Sequence, residues 1–146
     1  MKISGTHTLA LARQRAFEAL QNPDLLAKCI PGCEGLSKIG DDEYEMNLKV
    51  VMAAISGQFT GKVKLSDSVP PQSFRLSVEG TGKIGFLKGS GLLQLTESDA
   101  ATTAVTYEGD VNIGGTIAAV GQRLMETTAK MMIKKFFDKL AKESAV

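Results

Sequence analysis

The stretch TIAAVGQRLMETTAKMMIKKFFDKLA, from Thr116 to Ala141, decides the fold. Its apolar residues Ile117, Val120, Leu124, Met131 and Met132 recur at three- and four-residue steps, and Gly121 and Thr128 share their face. That spacing draws one stripe along an α-helix, because side chains three or four apart stack on one side of the cylinder. Gly114 and Gly115 come before it, and Thr116 is of a type that caps helix starts, so the helix is predicted to begin there. No other part of the chain carries a long helical pattern. A helix with a single apolar stripe must bury it, and what the rest of the chain offers is a sheet.

Residues 36–113 read as six strands with a two-residue period. Tyr44, Met46, Leu48, Val50 and Met52 alternate with Glu43, Glu45, Asn47 and Lys49. Phe59, Gly61, Val63 and Leu65 alternate with Gln58, Thr60, Lys62 and Lys64. Phe74, Leu76 and Val78 follow the same rule, as do Val105, Tyr107, Val111 and Ile113. One wet face and one dry face is what antiparallel sheets permit. Breaks at Gly40-Asp41-Asp42, Val69-Pro70-Pro71, Gly80 to Gly85 and Ser98-Asp99 fall at hairpin-like spacing.

Ahead of these strands, Lys2 to Ala10 alternates as a further strand, with Ile3, Gly5, His7 and Leu9 on one side. Ala12 to Leu20 switches to helical spacing, and Pro23 opens a second short helix that ends in the Pro31-Gly32 turn. The predicted class is α+β: a curved antiparallel seven-stranded sheet wrapped around a long C-terminal helix, with two short helices after strand 1. Short links favour sequential pairing, and residues 1–146 are expected to form a single domain. Gly57, Gly61, Gly91 and Gly109 suit bends that curl a sheet. A curled sheet around one helix often leaves a concave, mostly apolar space, where small ligands bind.

Composition narrows the function. A net charge of +1 argues against a protein built to neutralise many phosphates. No apolar run approaches the roughly 20 residues that cross a bilayer. The first residues, Met1 to His7, lack the apolar core of a signal peptide, so a cytoplasmic location is expected. Cys29 and Cys33 are too few for a disulfide scaffold and, with His7 the only histidine, too few for a structural metal site. Three residues separate them, where a redox pair normally has two, and small apolar side chains that pin a turn explain them better.

Gly80-Thr81-Gly82-Lys83-Ile84-Gly85 matches the dinucleotide fingerprint in spelling only. That motif needs a helix next, whereas Phe86 to Leu95 reads as more strand. His7 lies in phase with Ile3 and Leu9, and a lone histidine there is more often a core or rim residue than a catalyst. No nucleophile–base arrangement is legible. The strand acids Glu43, Glu45, Glu79, Glu108 and Asp110 all fall in the polar phase.

Asn22-Pro23-Asp24-Leu25-Leu26, followed by Cys29-Ile30-Pro31-Gly32-Cys33-Glu34, strongly resembles the CoxG-like family of carbon monoxide dehydrogenase subunits, within the START/Bet v 1-like SRPBCC superfamily. Gly57 to Val63, Asp67 to Pro71, Gly80-Thr81-Gly82, Thr106-Tyr107, Gly114 to Ala118 and Phe136-Phe137 fit as well. The resemblance implies the helix-grip fold. It also implies a non-catalytic accessory role beside a carbon monoxide dehydrogenase-type molybdenum hydroxylase, in membrane recruitment or quinone handling. Members that anchor an enzyme to the membrane carry an extension beyond the grip helix; the sequence here stops at Val146, so stable anchoring by its own tail is not expected.

The expected ligand is hydrophobic, quinone- or lipid-like, and held between sheet and helix, with no metal and no resident cofactor. By analogy with the superfamily, His7, Met46, Leu48, Val50, Met52, Phe59, Phe74, Leu76, Phe86, Tyr107, Ile117, Val120, Leu124, Met125 and Met132 are expected to line the cavity. Cys29, Ile30, Pro31, Gly32 and Cys33 are expected to form its lip or a docking edge for the partner. Two alternatives stand: a cyclase- or hydratase-like enzyme using His7 and Tyr107, and an assembly factor whose core is filled. The last helix carries Arg123, Lys130, Lys134, Lys135, Lys139 and Lys142 against Glu126 and Asp138. That excess, beside Phe136 and Phe137, reads either as reversible contact with the inner face of a membrane or as a solvated helix end.

Overall fold

The computed structural model describes residues 1–52 and 55–144, the side chains of Met52 and Ile55 excepted. Strand β1 (Lys2–Leu9) is followed by helices α1 (Arg13–Gln21) and α2 (Pro23–Cys29). Six strands come next: β2 (Cys33–Gly40), β3 (Glu43–Met52), β4 (Ile55–Val69), β5 (Ser73–Gly82), β6 (Gly85–Asp99) and β7 (Thr102–Gly114). They form one seven-stranded antiparallel sheet in the order β1-β7-β6-β5-β4-β3-β2. Consecutive strands pair except where β1 closes onto β7, which the two early helices permit by carrying the chain across to β2.

Local chemistry fixes the pieces. The Asn22 side chain accepts from the backbone N–H of Asp24 at 2.9 Å, and Pro23 opens α2 where its missing N–H costs nothing. On the outer face of the sheet, register places Glu45 opposite Lys62, Lys62 opposite Glu79 and Glu79 opposite Lys88. Opposite charges on facing residues favour this register over a slipped one.

The end of the chain differs from expectation. Thr116–Val120 is a short 3-10 turn, and Gly121, at φ +96°, separates it from α3 (Gln122–Ser144). Thr116 therefore does not cap the long helix. Gly121 is the residue type that accepts that backbone conformation readily. The break also resets the helical phase: Met125, Thr128, Phe137 and Leu140 are buried, whereas Leu124 and Met131 are 38% and 46% exposed. A stripe extrapolated through Ile117 and Val120 lands one residue off.

The core is unequal along its length. Leu9, Phe17, Leu95, Val105, Phe137 and Leu140 pack as one buried cluster beneath α1, with Phe17 edge-on to Phe74 at 5.7 Å. Thr103 is fully buried there, and its hydroxyl donates to the Leu11 carbonyl at 2.8 Å. A second, smaller cluster joins Val50, Ile117 and Met125 near the 3-10 turn. Between the two lies open space.

Candidate functional site

That space is a partly enclosed cavity of about 300 Å³ between the sheet and α3. Its sheet wall presents Met46 of β3, Val63 of β4, Phe74, Leu76 and Val78 of β5, Leu93 of β6, and Tyr107 and Val111 of β7. Ile3 of β1 completes it. The helical wall is Met132, Ile133, Phe136 and Phe137 of α3, with Leu20, Leu26, Ile30 and Pro31 closing one side.

The floor is nearly bare. Gly89, Gly91 and Gly109 lie in the inward phase of β6 and β7, and Gly91 and Gly109 face each other across the pair. A Cβ on Gly109 would lie 2.6 Å from the Ser90 carbonyl oxygen, so the close approach of the two strands itself requires glycine there. Where neighbouring strands would fill the space with side chains, this stretch leaves it empty.

Tyr107 carries the one hydroxyl among the inward-facing side chains of the cavity wall. Its ring covers Gly5, its partner on β1, where a Cβ would stand 2.6 Å from the phenol oxygen. Burial pushes its pKa up, against the opposing pull of Lys130 on α3. His7, also on β1, stacks on Phe137 at 4.5 Å and lies nearly parallel to the Tyr107 ring at 6.0 Å. Burial lowers the His7 pKa, with Asp138 opposing and Lys134 adding to the shift. A histidine shifted that way is neutral at neutral pH.

Of the residues expected to line the cavity, Met46, Phe74, Leu76, Tyr107 and Met132 do so. Leu48, Val50, Phe59, Ile117, Val120 and Met125 belong instead to the second cluster, because the 3-10 turn folds that end of the chain over the tips of the strands. His7 is not in the wall; its ring is taken up by the stack with Phe137. Phe86 is 47% exposed, since the inward phase of β6 runs through Leu87, Gly89, Gly91 and Leu93; its ring covers Gly114 on the outer face. Leu124 is turned out by the phase break at Gly121. The Met52 side chain lies outside the described residues.

In the lip, Ile30 and Pro31 border the cavity, whereas Cys29 is buried in the packed cluster and Gly32 is exposed. Burial pushes the Cys29 thiol up, away from reactivity. Half-buried Cys33 sets its Sγ 3.6 Å from the Gly35 carbonyl. Val63, Val78 and Val111 are legible in the sequence as inward-phase residues of their strands; Ile133, Phe136 and Phe137 require the true helical phase.

Three of the basic residues on the last helix are paired along it. Lys130, Lys134 and Lys139 pair with Glu126, Asp138 and Glu143, each one turn away, at 3.2, 2.8 and 3.6 Å. Phe136 and Phe137 point inward, so the aromatic half of an interfacial contact is missing from that face. Among the described residues no helix is long and apolar enough to cross a membrane.

The chain matches the CoxG family of carbon monoxide dehydrogenase subunits over residues 5–145. It is similar to a crystal structure of a conserved protein from Geobacillus kaustophilus, at 34% identity and TM-score 0.97, covering 99% of this chain and 95% of that one. A START superfamily protein from Mycobacterium smegmatis shares the fold at 11% identity and TM-score 0.72, covering 99% and 97%. The Zhui aromatase/cyclase from Streptomyces sp. R1128 shares it at 16% identity and TM-score 0.69, covering 99% and 93%. No curated protein matches the sequence. The fold is the START/Bet v 1-like helix grip, with α3 as the gripped helix.

Proposed function

We propose a function from one premise: the chain belongs to the CoxG family of carbon monoxide dehydrogenase subunits. It is a non-catalytic accessory protein that holds a hydrophobic, quinone- or lipid-like molecule between sheet and α3. It serves a carbon monoxide dehydrogenase-type molybdenum hydroxylase by carrying that molecule between the enzyme and the membrane or respiratory chain. The observation that carries the reading is the cavity of about 300 Å³, walled almost wholly by apolar side chains. Apolar area removed from water there contributes about 25 cal/mol per Å² before the costs of association. Binding, rather than bond-making, suits a wall with one inward-facing hydroxyl. His7, the other group considered for acid–base work, has its ring stacked on Phe137 outside that wall.

Native mass spectrometry of the purified protein, then titration with a short-chain quinone followed by thermal shift, tests the reading. Saturable binding with a rise in melting temperature is the expected result, because a ligand selective for the native state stabilises it. No bound mass and no shift with any quinone or lipid would leave an assembly role.

A further inference from the structure

The cavity differs from an apolar hole by one group, and that group decides what charge it accepts. Ser90 and Glu108 border it too, but both sit in the outward phase with exposed side chains, so what they present is backbone. The Tyr107 phenol, raised in pKa by burial, stays a neutral donor. The charges that bear on Tyr107 and His7 have counter-ions: Lys130 holds Glu126 at 3.2 Å, and Lys134 and Asp138, the charges felt by His7, hold each other at 2.8 Å. His7 itself is neutral in the neutral range.

Resting on the ligand-binding reading above, we infer that the cavity selects uncharged amphiphiles, seating one neutral oxygen at Tyr107 and rejecting ionised head groups on the same hydrocarbon. A ketone or hydroxyl oxygen leaving water gives up few hydrogen bonds, and one phenol donor replaces the essential one. A carboxylate gives up far more and needs a cation or several donors in return. One hydroxyl does not meet that need.

The full chain is titrated calorimetrically with decanol, a decanone, decanoic acid and decanesulfonate. At about pH 8, decanol and the decanone are expected to bind at least about tenfold more tightly than decanoic acid, whose carboxyl is ionised there. Lowering the pH to about 5 protonates part of the acid and narrows that gap, while decanesulfonate, still ionised, gains nothing. Tyr107→Phe is expected to weaken decanol and the decanone about fivefold with little change in the melting temperature of the empty protein.

Equal affinity for decanol and decanoic acid at about pH 8 overturns the inference and leaves the ligand-binding reading in place. Decanesulfonate gaining affinity as the pH falls overturns it as well, since a protein group such as His7 would then supply the charge. Tyr107→Phe binding decanol and the decanone as the parent does removes the seat assigned to the oxygen. Failure of all four ligands to bind removes the ligand-binding reading itself.

Discussion

Helix α3 meets the same sheet in two ways. Near its C-terminal end, Phe137 and Leu140 enter a cluster of side chains almost wholly removed from solvent, with Leu9, Phe17, Leu95 and Val105. Two turns earlier, Met132 and Ile133 look across about 300 Å³ of space to a floor of Gly89, Gly91 and Gly109. Helix and sheet are common to both regions; the side chains are not. The cavity is therefore a deficit of side chains written into β6 and β7 and not a consequence of the grip architecture. The assembly-factor alternative would require the deficit to be made good, and the packed cluster shows what that looks like.

The sharpest way to break that contrast is truncation on one helix. Leu140 is fully buried in the cluster, so Leu140→Ala removes contacts that nothing replaces and is expected to cost about 2–5 kcal/mol. Met132→Ala removes a half-buried side chain that already borders open space, and is expected to cost about 1 kcal/mol while weakening ligand binding. Urea unfolding of both variants measures the difference. Equal costs would mean that the two regions are packed alike.

A smaller effect tests the floor. Gly109→Ala places a Cβ against the Ser90 carbonyl oxygen and, at 3.0 Å, the Gly91 Cα; both are backbone, so the strands must part, at about 1–3 kcal/mol. Gly80→Ala on β5 meets nothing within 4 Å and is expected to be neutral or to stabilise by up to about 1 kcal/mol, since alanine has less freedom to lose on folding. The same substitution with opposite signs on one sheet would show that glycine is required at the floor for contact, not for flexibility. Thermal melts of the two variants decide it.

Strands are the legible part of the sequence because a two-residue period survives any curvature: the seven strands and both early helices are found where the alternation and Asn22-Pro23 place them. Helix α3 is legible as an element but not in phase, since nothing in TIAAVGQR marks Gly121 as a break when glycine is also tolerated on a packed helix face. That single residue moves Leu124 and Met131 to the surface and brings Ile133, Phe136 and Phe137 to the cavity. For the same reason the part of the wall that α3 supplies is only partly legible: Met132 is expected there, whereas Ile133, Phe136 and Phe137 are not. Phe86 goes astray differently: an aromatic beside glycines looks like core until the inward phase of β6 is seen to be the glycines themselves.

The boundary between the two regions is His7, and its protonation gives the gentlest test. The imidazole lies between Phe137, of the packed cluster, and Tyr107, of the cavity wall. Burial lowers its pKa; Asp138 pulls the other way and Lys134 reinforces the shift. With a folded value below the unfolded one, the unfolded chain binds the proton more readily. Stability from this group is complete above the ordinary histidine value of about 6.5 and is lost as the pH falls through the lower folded value. Asp138 is also lowered, chiefly by its hydrogen bond to Lys134, but it titrates in the carboxylate range and leaves this window clear. Unfolding free energies measured between about pH 7.5 and 5.5 should fall toward acid in the parent and lie flatter in His7→Gln, which keeps a polar planar group without the titration. A parallel slope in the two would place the pH dependence elsewhere and leave His7 a spacer between the filled half of the molecule and the empty one.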